Sequence, residues 1–121
     1  MRFPSSHNKR IGDLGENFAV NLLKKNGYKI INRNFRSKFG EIDIIAIKNK
    51  ALIFIEVKCR WSKKFGAPEE AVTYAKIKKL RKSAEYFSLL HPDLPNKLLI
   101  EVVALEVTEN QISSAKIIEV D

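Results

Sequence analysis

The stretch GEIDIIAIKNKALIFIEVKCR, Gly40 to Arg60, sets two carboxylates and an ammonium inside two apolar runs. It reads as a β-hairpin turning at about Asn49-Lys50, with Ile, Leu, Val and Phe filling both strands. With the turn centred between those residues, Asp43 falls directly opposite Glu56, their Cβ atoms ~5 Å apart on one face. Like charges so opposed destabilise a sheet. A hard divalent cation shared through carboxylate oxygens would remove the conflict. Lys58 follows Glu56 by two residues, so the strand period returns it to the same face. An ammonium there, beside a phosphate or a water on the metal, can orient a nucleophile and stabilise developing charge. A one-residue slip would turn Asp43 to the wrong face. Glu16, on an upstream helix beside Ala19, Val20 and Leu23, is a fourth candidate, completing the acidic cluster directly or through a water.

Plainer readings stand beside this one. Asp43 and Glu56 can be charges that keep an edge strand from aggregating. Lys58 can neutralise Glu41, its partner in the same register, and Glu16 can be an ordinary surface acid. Each fits the rule that charged residues sit in solvent. The spacing matched across two strands favours the site.

The elements that must hold these residues follow from periodicity. Ile11, Leu14, Phe18 and Leu22 recur at helical spacing over about Asn8 to Asn26, and Gly27 suits a left-handed cap. YKIINRNFR predicts a strand and SKFG a turn before the hairpin. Pro68-Glu69-Glu70 opens a second predicted helix with acids in its first turn. That helix runs to about Leu90, with Ile77, Leu80, Ala84 and Phe87 as its apolar stripe. KLLIEVVALEV predicts a strand buried on both faces or, if exposed, an interface for a homodimer. TENQISS reads as a polar turn and AKIIEV as a last strand. The order α-β-β-β-α-β-β predicts one α+β domain over residues 1–121, a mixed sheet between helices.

The chain has 121 residues, 45% hydrophobic and 30% charged. That excludes a disordered or membrane-embedded protein, and no apolar run approaches the ~20 residues that span a bilayer. The start MRFPSSHNKRIG has no apolar h-region and Cys59 is the single cysteine, which predicts a cytoplasmic protein without internal disulfides. Lys and Arg number 22 against 14 acids, a net charge of +8, which predicts a polyanionic partner, nucleic acid first. Arg33, Arg36 and Lys38 precede the hairpin and Arg60, Lys63 and Lys64 follow it. Lys76, Lys78, Lys79 and Lys82 lie on the second helix, mostly opposite its apolar stripe. Such a footprint suits contact with the phosphate backbone and strong salt dependence. His7 and His91 form no ligand-spaced pair, so no zinc is expected.

Asp43, followed after twelve residues by Glu56-Val57-Lys58, resembles the PD-(D/E)XK motif of restriction-endonuclease-like nucleases. More narrowly, GDLGENFAVNLLKKNGYKIINRNFRSKFGEIDIIA, LIFIEVKCR, FGAPEEAV and LLIEVVAL resemble the YraN-like family of bacterial endonuclease-like proteins, over about Gly12 to Leu105. The resemblance implies a restriction-endonuclease-like αβββαβ core, here with one extra C-terminal strand. It implies a Mg²⁺- or Mn²⁺-dependent endonuclease acting on DNA, with Asp43 and Glu56 as metal ligands, Lys58 in catalysis and Glu16 as the helix-borne acid. A looser similarity to archaeal Holliday-junction resolvases adds branched DNA to the expected substrates. Ile42 stands where the motif's name has Pro, and Glu101 stands where the family favours Asp and is given no role. The alternative is a nucleic-acid-binding module of the same fold whose acidic site is idle.

Overall fold

The computed structural model describes the backbone of residues 5–61 and 73–121, with side chains from residue 13 onward in those ranges. The elements are α1 (Ser5–Lys25), β1 (Lys29–Ser37), β2 (Gly40–Lys48), β3 (Ala51–Arg60), α2 (Tyr74–Leu90), β4 (Lys97–Thr108) and β5 (Gln111–Glu119). They follow the predicted order. The strands form one sheet in the order β1-β2-β3-β4-β5, antiparallel except for the parallel pair β3 and β4. α2 lies in the crossover that a parallel pair requires. One apolar cluster packs under α1 and another under α2, on opposite sides of the sheet. This is an α+β fold with a mixed sheet between helices, consistent with a restriction-endonuclease-like core. No helix among the described residues is long and apolar enough to cross a membrane.

Local chemistry accounts for the joints. Asn49 and Lys50 take φ of 51° and 62°, the paired left-handed geometry that matches the twist of a two-residue hairpin. Glu109 and Asn110 repeat it at 54° and 62°, so the polar stretch expected to be all turn gives Gln111 to Ser114 to β5. Gly27, at φ 86°, ends α1. There Tyr28 N donates to Leu23 O at 3.0 Å and Gly27 N to Lys24 O at 3.1 Å, a Schellman closure. α2 is capped by Thr73, whose side chain accepts from Lys76 N at 3.2 Å. The expected opening at Pro68-Glu69-Glu70 lies outside the described residues, and the first turn of α2 carries no acid.

Of the stripe expected for α1, Leu22 packs against the core, but the helix docks mainly through a neighbouring line. Leu14 is 55% exposed and Phe18 40%, whereas Ala19, Val20 and Leu23 are buried; the side chain of Ile11 lies outside the described residues. Gly15 explains the choice. A Cβ added there would stand 2.7 Å from Cys59 Sγ, so the helix backbone approaches the sheet most closely along the line Gly15, Ala19, Leu23. Leu14 and Phe18 flank that line and border an apolar hollow with Cys59, Val107 and Ile112. β4 is buried on both faces as expected and its outer edge is paired with β5, so it offers no exposed strand to a second copy.

Candidate functional site

The β2–β3 register is the one the turn dictates: Lys48 opposes Ala51 and Ile44 opposes Ile55. The ladder stops at Ile44 and Ile55. Yet β3 stays paired with β4 as far as Arg60, and β1 with β2 as far as Ser37 and Gly40. The sheet therefore forks between β2 and β3, and Asp43 and Glu56 stand where it opens. Asp43 Oδ2 accepts from Val57 N at 2.8 Å, a side chain taking the place of a missing rung.

A change of strand phase accompanies the fork. Ile42 belongs to the cluster under α2 and Ile44 to the cluster under α1, although residues two apart on a regular strand share a face. β2 thus rotates at Asp43. β1 does the same at the facing residue Asn34, whose φ is 56°. Before it, Arg33 reaches Glu16 of α1; after it, Phe35 packs edge-on against Phe87 of α2, ring centroids 5.0 Å apart.

Glu56 is only 7% exposed. Its Oε2 lies 2.8 Å from Lys76 Nζ and 3.6 Å from Lys58 Nζ. Burial, and then the charge of Glu56, push the Asp43 carboxyl up to about 7, against the pull of the Val57 N–H. Protonated Asp43 can hydrogen-bond Glu56. Burial and the neighbouring Lys76 lower the Lys58 ammonium, with Glu56 opposing. For Lys76 burial works against the charge, but Glu56 and Lys58 outweigh it and its pKa is raised. The pairing of Lys58 with Glu41 does not form. Glu41 instead accepts from Arg36 Nε at 2.6 Å.

Glu16 is placed beside this group rather than in it. Its Oε1 accepts from Arg33 Nη2 at 2.8 Å, Arg33 Nε at 3.1 Å and Asn34 Nδ2 at 3.1 Å. Its charge still contributes, as a minor cause, to raising Asp43. Among the described residues no three His, Cys, Asp or Glu side chains converge tightly enough to hold a metal. Asp43 and Glu56 alone fit a hard cation of the Mg²⁺ type, which takes one or two carboxylates and fills its other positions with water and substrate phosphate. Burial first, and then the neighbouring Glu56, raise Asp43, and a cation shared by the two carboxylates would relieve both.

The expected basic footprint divides. Arg33 donates to Glu16 and Asn17, Arg36 to Glu41. Lys76 and Lys79 line a hollow of about 280 Å³ with Asp43 and Glu56. Lys82 borders the next groove, and Lys38 Nζ sits 5.3 Å from the Phe39 ring centroid. Lys78 turns away, over Tyr74 and toward Val120 and Asp121. Arg60 is half-buried at the end of β3; Lys63 and Lys64 lie outside the described residues.

Sequence reasoning placed Lys76 only in the basic footprint opposite the apolar stripe, not with Glu56, and gave no part to Ser83 or Glu101. Lys76 precedes Leu80 and Ala84 by four and eight residues, a spacing that puts it on the buried stripe of α2. Ser83, buried, precedes Phe87 by four and shares that stripe. Glu101, which had been given no role, is buried and accepts from Tyr28 OH at 2.7 Å; burial and this carboxylate raise the phenol's pKa. No pattern in the sequence marks that pair, which joins residues far apart in the chain.

The family model for Uncharacterised protein family UPF0102 matches residues 15–115. A UPF0102 protein of Caldicellulosiruptor bescii is 51% identical over 83 residues, 69% of this chain and 70% of its own length. Another, from Caldicellulosiruptor saccharolyticus, is 54% identical over 81 residues, 66% of this chain and 69% of its own. A UPF0102 protein of Clostridium botulinum is 43% identical over 107 residues, 88% of this chain and 86% of its own. The matched span of the family takes in Glu16, Asp43, Glu56, Lys58 and Lys76.

Proposed function

The chain belongs to the UPF0102 family, and from the site its own residues build we propose that it is a divalent-metal-dependent endonuclease of the PD-(D/E)XK kind, hydrolysing phosphodiester bonds in DNA. The observation that carries this reading is the convergence of Asp43 and Glu56 with two ammonium groups where the sheet forks. Packing alone has no use for such a group, since a buried carboxylate pair costs stability unless something compensates it.

Asp43 and Glu56 would hold Mg²⁺ or Mn²⁺, which supplies Lewis-acid polarisation of the phosphate and neutralises part of its charge. The Val57 N–H fixes the Asp43 carboxylate, so its orientation does not depend on a flexible rotamer. Lys58, its pKa lowered, exchanges a proton at Nζ more readily than a free lysine. That suits it to orient the attacking water or to protonate a departing oxygen. Lys76, held charged, offsets Glu56 and can donate to a phosphate oxygen. Arg33 and Asn34 hold Glu16 in one position near Asp43. Lys79 lies at the mouth of the hollow, where a backbone phosphate would pass.

The test is a cleavage assay on linear duplex, single-stranded, flap and four-way-junction DNA in Mg²⁺, Mn²⁺ or EDTA, beside Asp43→Ala and Lys58→Ala. Metal-dependent cutting that both substitutions abolish, with binding retained, is the expected result. No cutting above the background of Asp43→Ala on any substrate would leave a nucleic-acid-binding module whose acidic site is idle.

A further inference from the structure

We propose that the Phe39, Leu80 and Ser83 end of the hollow, next to the carboxylates Asp43 and Glu56 that line its other end, receives one unpaired nucleobase, so that the strand acted on is single or locally unpaired next to the scissile phosphate. This rests on the nuclease reading and names its substrate class. The first observation is Ser83. Its side chain is 1% exposed and lines the hollow. Its Oγ lies 3.8 Å from where a Cβ on Gly40 would stand, and among the described residues the hydroxyl has no hydrogen-bond partner. A buried hydroxyl left without a partner is unfavourable, and a ligand that enters the hollow would satisfy it.

The second observation is the shape and lining of the space. At about 280 Å³ it falls just under the ~300–1,000 Å³ of pockets for drug-sized ligands. A space of that size has room for one ring system beside the two carboxylates. Buried Leu80 and the Phe39 ring supply apolar wall, while Lys76 and Lys79 supply charge.

The third is what lies next door. The Phe39 ring also borders a neighbouring groove with Tyr86 and Lys82. It meets Tyr86 edge-on at 5.6 Å between centroids, with Lys38 Nζ over it. Aromatic rings interleaved with cations bind single strands by stacking, and do so with little regard to sequence. Ser83 suits that tolerance because a hydroxyl both donates and accepts. The bases of an intact duplex are stacked on one another, and to enter the hollow one would first have to leave the helix.

Fluorescence anisotropy in EDTA, where no turnover occurs, reads this directly. Labelled single strands of DNA and of RNA are compared with a blunt duplex of the same length, for the wild type, Phe39→Ala and Ser83→Ala. The wild type should prefer a single strand of either kind. Phe39→Ala should lower the single-strand-to-duplex affinity ratio by roughly 5- to 150-fold, the worth of one stacked base. Ser83→Ala should lower it about fivefold, one neutral hydrogen bond. It should also raise thermal stability, because it removes the unsatisfied hydroxyl. A packing role for Ser83 would leave the ratio alone. Equal affinity of the wild type for single strand and duplex overturns the proposal, as does a ratio that neither substitution moves. Metal-dependent cutting together with a flat ratio sinks the base pocket alone. A preserved ratio with no cutting sinks the nuclease reading alone.

Discussion

Asp43 illustrates how a surrounding can hold a carboxyl against its own tendency to ionise. An unfolded Asp titrates near 3.9, whereas burial and Glu56 bring the folded one up to about 7. Between those values the folded protein binds a proton that the unfolded chain releases. This residue's contribution to stability is therefore complete below about pH 4 and is lost as pH rises through about 7. Asp43→Asn keeps an acceptor for the Val57 N–H but cannot ionise. Without metal, that variant should have the flatter stability profile between about pH 5 and 8 and be the more stable protein at the upper end. Parallel urea-denaturation profiles for the two would refute this. Lys58 and Lys76 should part company kinetically. Lys58→Ala should cut turnover by about 10²- to 10⁴-fold. Lys76→Ala should slow turnover less but tighten metal binding, because it removes the ammonium 2.8 Å from Glu56. A metal titration beside a rate measurement separates them. The sequence showed Asp43, Glu56 and Lys58 because a hairpin turn fixes which residues oppose. It offered Lys76 only as one cation of the lysine-rich run KIKKLRK, where composition argues surface and only the four-residue spacing to Leu80 argues for its place beside Glu56. The clamp of Arg33 on Glu16 was not legible, because it depends on the rotation of β1 at Asn34.

At the level of elements, α1 is positioned by what it lacks. Gly15→Ala would set a methyl group 2.7 Å from Cys59 Sγ. It should destabilise the fold by about 1–3 kcal/mol, less up to about 1 kcal/mol from the better helix propensity of Ala. Adding Cys59→Ala to the same chain should recover most of the loss. Chemical denaturation of the two single variants and the double variant closes this cycle, and additive losses would show that the contact does not decide the docking. Element order, the tight turn at Asn49-Lys50 and the buried character of β4 were all legible from periodicity and turn chemistry. The docking face of α1 was not. Leu14 and Phe18 are larger than Ala19, and a count of apolar residues favours them. A close backbone approach rewards the small residues instead. The fork was equally hidden, because each strand taken alone reads as regular and the break appears only where β3 stays with β4 and parts from β2.

Over the whole molecule, the 22 Lys and Arg are not equally free to meet a phosphate backbone. Arg33, Arg36, Arg81 and Lys76 are engaged by carboxylates. Exposed Lys38, Lys79 and Lys82 gather around the hollow and the adjoining groove. Lys79→Ala should therefore flatten the plot of log affinity against log salt by about 0.7 for a single strand. Arg81→Ala, whose guanidinium is held by Asp121, should leave that slope unchanged. The fork has a mechanical side as well. Past Ile44 and Ile55 the tip of the β1–β2 hairpin is a cantilever, seated on α2 through Ile42 and Phe35 and latched to β3 by the Asp43–Val57 bond. Phe39, Gly40 and Glu41 ride on this arm, while Glu56, Leu80 and Ser83 belong to the fixed frame. The hollow is thus the gap of a sprung jaw, and its latch is one of the side chains that its chemistry would use. Amide hydrogen exchange would time the latch: Val57 should exchange faster in Asp43→Ala than in the wild type, while Ile53, deep in the seam, keeps its pace.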